Sequence, residues 1–378
     1  MFDEWKIPLY KIYNDDEDIQ LITKIIKRGS RWAMGPEIEE FENALKDYLD
    51  TEYCASLNSG TSSLNATLLA YGLKENDEVL IPSFTFIATA NSILLANVKP
   101  KFTDIEENTF GLDPHAVSKN ISTNTKAIMP VDIGGQPCNI LEIKKLAEEN
   151  NLILIEDAAE ALGSTVNGKK VGSISDSTIF SFCGNKVLTT GEGGAVVTNS
   201  KQIYEKIKLI RSHGRTNDSA YFENPLKSQY VGLGYNWRMS SFTAALGLSQ
   251  LRKLDKLIHM RQENAKYISS KLSKFEEIKL PNEIPNSENI YQMYTIRVSA
   301  KIRDNLQNFL LTKKIFCKVY FEPIHHQSFY RSYLKNEISL PVTEKISQEV
   351  LTLPLYPNME NEEKNYLVDS VSEFFENN

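Results

Sequence analysis

Lys186 lies between the short apolar run Phe180-Ser181-Phe182 and the glycine-rich turn Thr189-Thr190-Gly191-Glu192-Gly193-Gly194. An amine reacts with an aldehyde only when unprotonated, and a lysine on a constrained loop can be tuned to carry a cofactor covalently. Taken alone, the same pattern also describes a solvated loop lysine. A second segment, Leu152-Ile153-Leu154-Ile155-Glu156-Asp157-Ala158-Ala159-Glu160, is an apolar run ending in acidic and small residues. It reads as a buried parallel strand with an acid at its carboxyl end, the edge where ligands of open α/β sheets gather. A carboxylate there is costly to desolvate unless it meets a cation, and the pyridinium nitrogen of pyridoxal phosphate would be one. Asp157 could equally cap the helix that follows. The third segment, Asn58-Ser59-Gly60-Thr61-Ser62-Ser63, joins an apolar run to a helical pattern at Leu64, Leu68 and Leu69. Small residues at such a junction offer free backbone N–H groups to a phosphate, though they also make a plain N-cap.

The elements that must position these residues alternate along the chain. Strand patterns cover Glu78 to Pro82, Pro100 to Ile105, Ala127 to Val131, Leu152 to Asp157, Ser177 to Phe182 and Gly194 to Asn199, with helical patterns between them. Alternation of this kind predicts an α/β fold, a mostly parallel mixed sheet flanked by helices. One crossover helix is read from the spacing Ile140, Ile143, Leu146, Ala147, opened by Asn139 as N-cap. Thr216 to Leu233, with Pro225 inside, is expected to be a loop that crosses between subunits or closes over the site. A single long helical pattern from Ser240 to about Phe275 then leads into a smaller C-terminal α+β domain. That domain reads as a strand near Tyr291 to Val298, a helix near Arg303 to Leu311, a strand near Phe316 to Phe321 and a last helix from about Asn361. The expected division is residues 1–250 for the large domain and 251–378 for the small one.

The chain of 378 residues carries a net charge of −7 and has no basic run, which argues against nucleic-acid binding and against an anionic-membrane footprint. Cys54, Cys138, Cys183 and Cys317 form no C-x-x-C pair, so neither a zinc site nor a disulfide framework is indicated. No signal peptide and no membrane span is read, and a reducing cytoplasm is the expected compartment. The partners expected are small molecules.

Taken together, these segments are similar to the DegT-type sugar-nucleotide aminotransferases of the aspartate aminotransferase superfamily, pyridoxal phosphate fold type I. The resemblance runs from Gly35-Pro36 through Ser59-Gly60-Thr61, Pro82 to Thr89, Glu156 to Glu160, Ser181 to Lys186, Arg211-Ser212-His213-Gly214, Gly234 to Met239 and Tyr320 to His325. It implies an aspartate aminotransferase-like large domain and a role for each matched residue. Lys186 would form the internal aldimine with pyridoxal 5'-phosphate and then act as general base and acid, with the pyridoxamine form as intermediate. Asp157 would keep the pyridine nitrogen protonated. Glu160 falls near the cofactor's phenolic oxygen, where the family has Gln, His or Glu. Gly60, Thr61 and Ser181 would hold the phosphate, joined by Asn236 from a neighbouring subunit, which implies a homodimer with shared active sites. Phe86 matches the aromatic that stacks on the pyridine face, although Phe84, two residues earlier on the same extended segment, could take that place. His325 matches a segment that faces the sugar, while His326 does not.

Two departures bear on substrate. Asp132 stands where many relatives carry histidine, and Gly135 lies close to an expected Gly-His-Pro. The run Phe182-Cys183-Gly184-Asn185-Lys186 looks most like the GDP-perosamine synthases and similar 4-aminotransferases. The 3-aminotransferases more often place an aromatic residue, proline and Thr or Ser before the lysine. The resemblance thus implies transfer of the amino group of L-glutamate to C4 of a nucleotide-linked 4-keto-6-deoxyhexose, with release of 2-oxoglutarate and with GDP-4-keto-6-deoxymannose as leading substrate. UDP- or dTDP-linked keto sugars are the alternatives. A sugar dehydratase on this scaffold would have histidine in place of Lys186, and a cofactor-sensing regulator would want a basic extension that the acidic N-terminus does not supply.

Overall fold

The computed structural model describes residues 4–216, 229–282 and 284–377. Seven strands form the main sheet: β1 Tyr53–Leu57, β2 Glu78–Pro82, β3 Lys99–Thr103, β4 Thr125–Ile128, β5 Ile153–Asp157, β6 Ser177–Ser181 and β7 Gly194–Thr198. Their order is β1-β7-β6-β5-β4-β2-β3. Every pairing is parallel except those of β7, which runs antiparallel to both neighbours. The expected mostly parallel mixed sheet is therefore present. Apolar clusters cover it on both sides, one holding Leu57, Leu64, Leu68, Val79 and Ile155, another Phe41, Leu45, Phe180, Phe182 and Leu248. Burial on both faces is why these strands read as continuous apolar runs rather than alternating ones.

Helices flank the sheet: α1 Asp16–Arg28, α2 Pro36–Leu49, α3 Gly60–Tyr71, α4 Ile140–Glu149, α5 Ser241–Arg252 and α6 Leu254–Leu272. The crossover α4 buries Ile140, Ile143 and Ala147 as its spacing predicts, but Asn139 makes no side-chain capping bond. The long pattern from Ser240 is two helices rather than one, broken at Lys253. No proline or glycine marks the break. The Lys253 ammonium instead turns inward to Asp15 and Asp18 at the start of α1, a partner pair more than 230 residues away in sequence.

The C-terminal part pairs β8 Tyr294–Arg297 antiparallel with β9 Val350–Leu353, backed by α7 Ala300–Thr312 and α8 Asn361–Glu376. The strand expected near Phe316 to Phe321 is not a strand. Only isolated bridges form there, Ile315 with Ile7 and Lys318 with Thr352, and β9 supplies the ladder instead. Ile7 lies in the same apolar cluster as Tyr294, Leu310, Leu351 and Val371, so the N-terminal segment is built into the C-terminal core. Of the loop Thr216 to Leu233, residues 217–228 lie outside the described residues; Tyr230 bridges to Arg215. Among the described residues no helix is long and apolar enough to cross a membrane.

Candidate active site

The chemistry-bearing residues meet at one edge of the sheet, at the carboxyl ends of the parallel strands. Asp157 closes β5 and Ser181 closes β6, while Ser59 and Gly60 follow β1. The antiparallel β7 contributes its start to the same edge, and Gly194 there pairs with Leu57 on one side and Ser181 on the other. A Cβ on Gly194 would lie 2.5 Å from the Ser59 carbonyl carbon and oxygen. A Cβ on Gly60 would lie 2.8 Å from that of Ser181. These two glycines let the start of α3 close onto the end of β6.

Ser59 is the N-cap of α3: its hydroxyl accepts from Ser62 N–H, and the Ser62 hydroxyl accepts from Ser59 N–H. That box leaves Gly60 and Thr61 as the first two helical residues, whose N–H groups have no acceptor within the helix. With the Ser181 hydroxyl close by, they form a cradle of uncharged donors at the positive end of a helix, which suits a phosphate.

Lys186 starts from a tight turn in which its N–H donates to the Cys183 carbonyl at 2.9 Å. The loop is closed behind it by Phe182 N–H to Gly193 and Thr190 N–H to Phe182. The lysine Nζ lies 3.0 Å from Glu160 Oε1, and both side chains are largely buried. Glu160 Oε2 in turn accepts from Gly134 N–H at 2.9 Å. Glu160 follows Asp157 by three residues in a turn, so one strand end delivers both acids.

Asp157 is buried, its Oδ2 accepting from the Thr89 hydroxyl at 2.8 Å and its Oδ1 from Ala159 N–H at 3.2 Å. No helix follows β5, so the bond to Ala159 shapes a turn and is not the helix cap the sequence allowed. Burial pushes its carboxyl up to about 6, against the pull of the Thr89 and Ala159 bonds and the Lys186 charge. A carboxyl so placed gains from a buried cation at its free lone pairs, as the pyridinium N–H of pyridoxal phosphate would provide. The donor cradle, the lysine and this acid therefore fit that cofactor in kind and in place. On the other face of β5, Glu156 accepts from Thr178 and Ser175 and lies beside Asp132, both acids fully buried and held above the usual carboxylate range by desolvation. Asp132 also accepts from Cys138 N–H at 2.9 Å, a bracing contact.

The remaining expected residues separate. Phe84 is fully buried against Phe110 and Phe321, whereas Phe86 is 61% exposed, so Phe86 is the ring free to stack on a ligand. Asn236 is exposed beside a bridge to Ser212, and among the described residues no hydrogen bond ties its side chain to the cradle. His325, expected to face the sugar, is buried beside Ser83. It is 4% exposed, with Nδ1 2.7 Å from Ser83 Oγ and its own N–H donating to that oxygen. Burial and the neighbouring His326 hold its imidazole below the usual range. It braces the turn after β2. Two contributors were not read from the sequence, Thr89 and Gly134. Each acts through a short-range contact to an acid more than 25 residues away, for which no local pattern exists.

The sequence profile of the DegT/DnrJ/EryC1/StrS aminotransferase family matches residues 13–372. A GDP-perosamine synthase of Escherichia coli O157:H7 is 33% identical over 98% of both chains. A UDP-4-amino-4,6-dideoxy-N-acetyl-beta-L-altrosamine transaminase of Campylobacter jejuni (strain 81-176) is 36% identical over 96% of both. Among solved structures, Helicobacter pylori PseC, described as an aminotransferase involved in the biosynthesis of pseudoaminic acid, superposes with a TM-score of 0.93 at 28% identity, covering 98% of this chain and 100% of that one.

Proposed function

This chain belongs to the DegT/DnrJ/EryC1/StrS aminotransferase family, and we propose that it moves the amino group of L-glutamate to C4 of a nucleotide-linked 4-keto-6-deoxyhexose, with GDP-4-keto-6-deoxymannose as the leading substrate. Each turnover exchanges an amine for a ketone oxygen: glutamate leaves as 2-oxoglutarate and the sugar ketone becomes an amine. The cofactor is pyridoxal phosphate, which supplies an electron sink for the carbon that loses its proton. Gly60, Thr61 and Ser181 hold its phosphate, with Asn236 supplied by a second copy of the chain. Phe86 covers the ring face and Asp157 holds a proton on the ring nitrogen. Lys186 Nζ would carry the cofactor and would move the proton at the reacting carbon.

The observation that carries this reading is the 3.0 Å contact of Lys186 with Glu160 on the same sheet edge as Asp157 and the α3 donor cradle. The GDP assignment rests on the perosamine synthase relative and on the Phe182 to Lys186 run; the Campylobacter jejuni relative favours a UDP-linked sugar as the second reading. The test is mass spectrometry of products formed with nitrogen-labelled L-glutamate and, separately, GDP-, UDP- and dTDP-linked 4-keto-6-deoxyhexoses. Label in the GDP-linked product is expected. Label only in a UDP- or dTDP-linked product would overturn the nucleotide assignment, and no conversion of glutamate to 2-oxoglutarate would overturn the donor.

A further inference from the structure

Gln292 holds the backbone on both sides of Lys186. Its Oε1 accepts from Val187 N–H at 2.8 Å, and its Nε2 donates to the Asn185 carbonyl at 2.7 Å. The next residue, Met293, donates its N–H to the Gly134 carbonyl at 3.0 Å. Gly134 N–H donates to Glu160, whose other oxygen accepts from Lys186 Nζ. Two adjacent residues thus fix both the backbone and the far end of one lysine. The approach is close: a Cβ on Gly135, whose φ is +94°, would lie 2.8 Å from Gln292 N. The segment is itself clamped from α6 by Arg261, which donates to the Tyr291 and Gln292 carbonyls at 2.8 Å each. Arg261 and Gln292 are both buried, so these bonds do not compete with water.

We infer that Gln292 is a positioning residue for Lys186, setting the place of its amine through the peptide groups on either side. The inference rests on Lys186 being the lysine that carries the cofactor. A side chain that only filled space would need no donor and no acceptor, yet Gln292 uses both on the two peptide groups that flank one residue. Reaction of an amine with an aldehyde depends steeply on approach, and a shift of about 1 Å can cost on the order of 100-fold in rate.

The test compares the unaltered protein with Gln292→Leu and Gln292→Glu, all stripped of cofactor and checked for folding by circular dichroism and Tm. Three quantities are read: the rate at which the visible band of Lys186-bound pyridoxal phosphate appears, the fraction of Lys186 trapped by borohydride as found by mass spectrometry, and the Kd for pyridoxamine phosphate, which needs no lysine bond. Gln292→Leu is expected to slow attachment about tenfold while leaving the pyridoxamine phosphate Kd within about twofold, and Gln292→Glu, which keeps the acceptor only, to fall between. If Gln292→Leu does not fold, the Glu variant decides by the same criteria. Attachment at the unaltered rate, or equal losses in attachment and in pyridoxamine phosphate binding, would overturn the inference. Failure of the unaltered protein to take up either form of the cofactor would instead overturn the proposed function.

Discussion

Asp157 is stabilising in one state and destabilising in another. Its carboxyl is raised from 3.8 to about 6 by burial, so ionising it in the folded, cofactor-free protein costs about 3 kcal/mol. The sign follows from the direction of the shift: relative stability is full below pH 3.8 and is lost as pH rises through about 6. Cofactor-free Asp157→Asn is therefore expected to have a higher Tm than the unaltered protein at pH 8 and no advantage at pH 3.5, measured by thermal unfolding across that range. An equal or lower Tm at pH 8 would show that the desolvation cost is met elsewhere. In the loaded protein the same change should lower kcat by about 100-fold or more, because the ring nitrogen then loses its proton and the electron sink weakens. Lys186→Ala should lose about 10²- to 10⁴-fold in the glutamate half-reaction and should not be labelled after borohydride reduction. A labelled Lys186→Ala protein would place the cofactor on another amine.

At the scale of elements, the antiparallel strand β7 decides how the phosphate cradle closes. Because β7 runs against its neighbours, its first residue, Gly194, falls between the ends of β1 and β6. Gly194→Ala would drive a methyl group into the Ser59 carbonyl at 2.5 Å, against backbone rather than a flexible side chain. We expect a loss of about 1–3 kcal/mol in unfolding free energy together with a weaker Kd for both cofactor forms, measured by urea titration and by absorbance. Unchanged cofactor affinity would mean that the cradle does not bind phosphate through the start of α3. The break at Lys253 belongs to this scale as well. The pattern Ala244, Ala245, Leu248, Leu251, Leu254 has helical spacing throughout, and at the break the Lys253 side chain is held by the distant Asp15 and Asp18.

At the scale of the whole molecule, several large apolar side chains face outward near the site's strands and loops. Tyr230, Val231 and Leu233 are all more than half exposed, and Tyr235 stacks on Trp237 beside Asn236. Such surface suits an interface with a second copy, and in the proposed function that copy supplies Asn236. Mixing inactive Lys186→Ala with inactive Asn236→Ala is a direct check. If each site takes these residues from different subunits, random re-pairing leaves one intact site in each hybrid dimer and restores up to about a quarter of the unaltered activity. No recovery after confirmed subunit exchange would place both residues in one chain's site.

What the sequence determined by itself was whatever is written in local spacing. Apolar runs marked six strands of the main sheet, three-and-four spacing marked α4, and an ordered set of short motifs singled out Lys186, Asp157, Gly60, Thr61 and Ser181. Those signals are legible because period and motif are properties of neighbouring residues. The tertiary structure alone decided which of Phe84 and Phe86 is free, that His325 is buried against Ser83, that the helix breaks at Lys253, and that β9 rather than Phe316 to Phe321 pairs with β8. It also brought Gln292 to Lys186 across 107 positions from Asn185. Each of these depends on a contact between segments far apart in the chain, where burial and hydrogen-bond geometry, rather than residue type, select the partner.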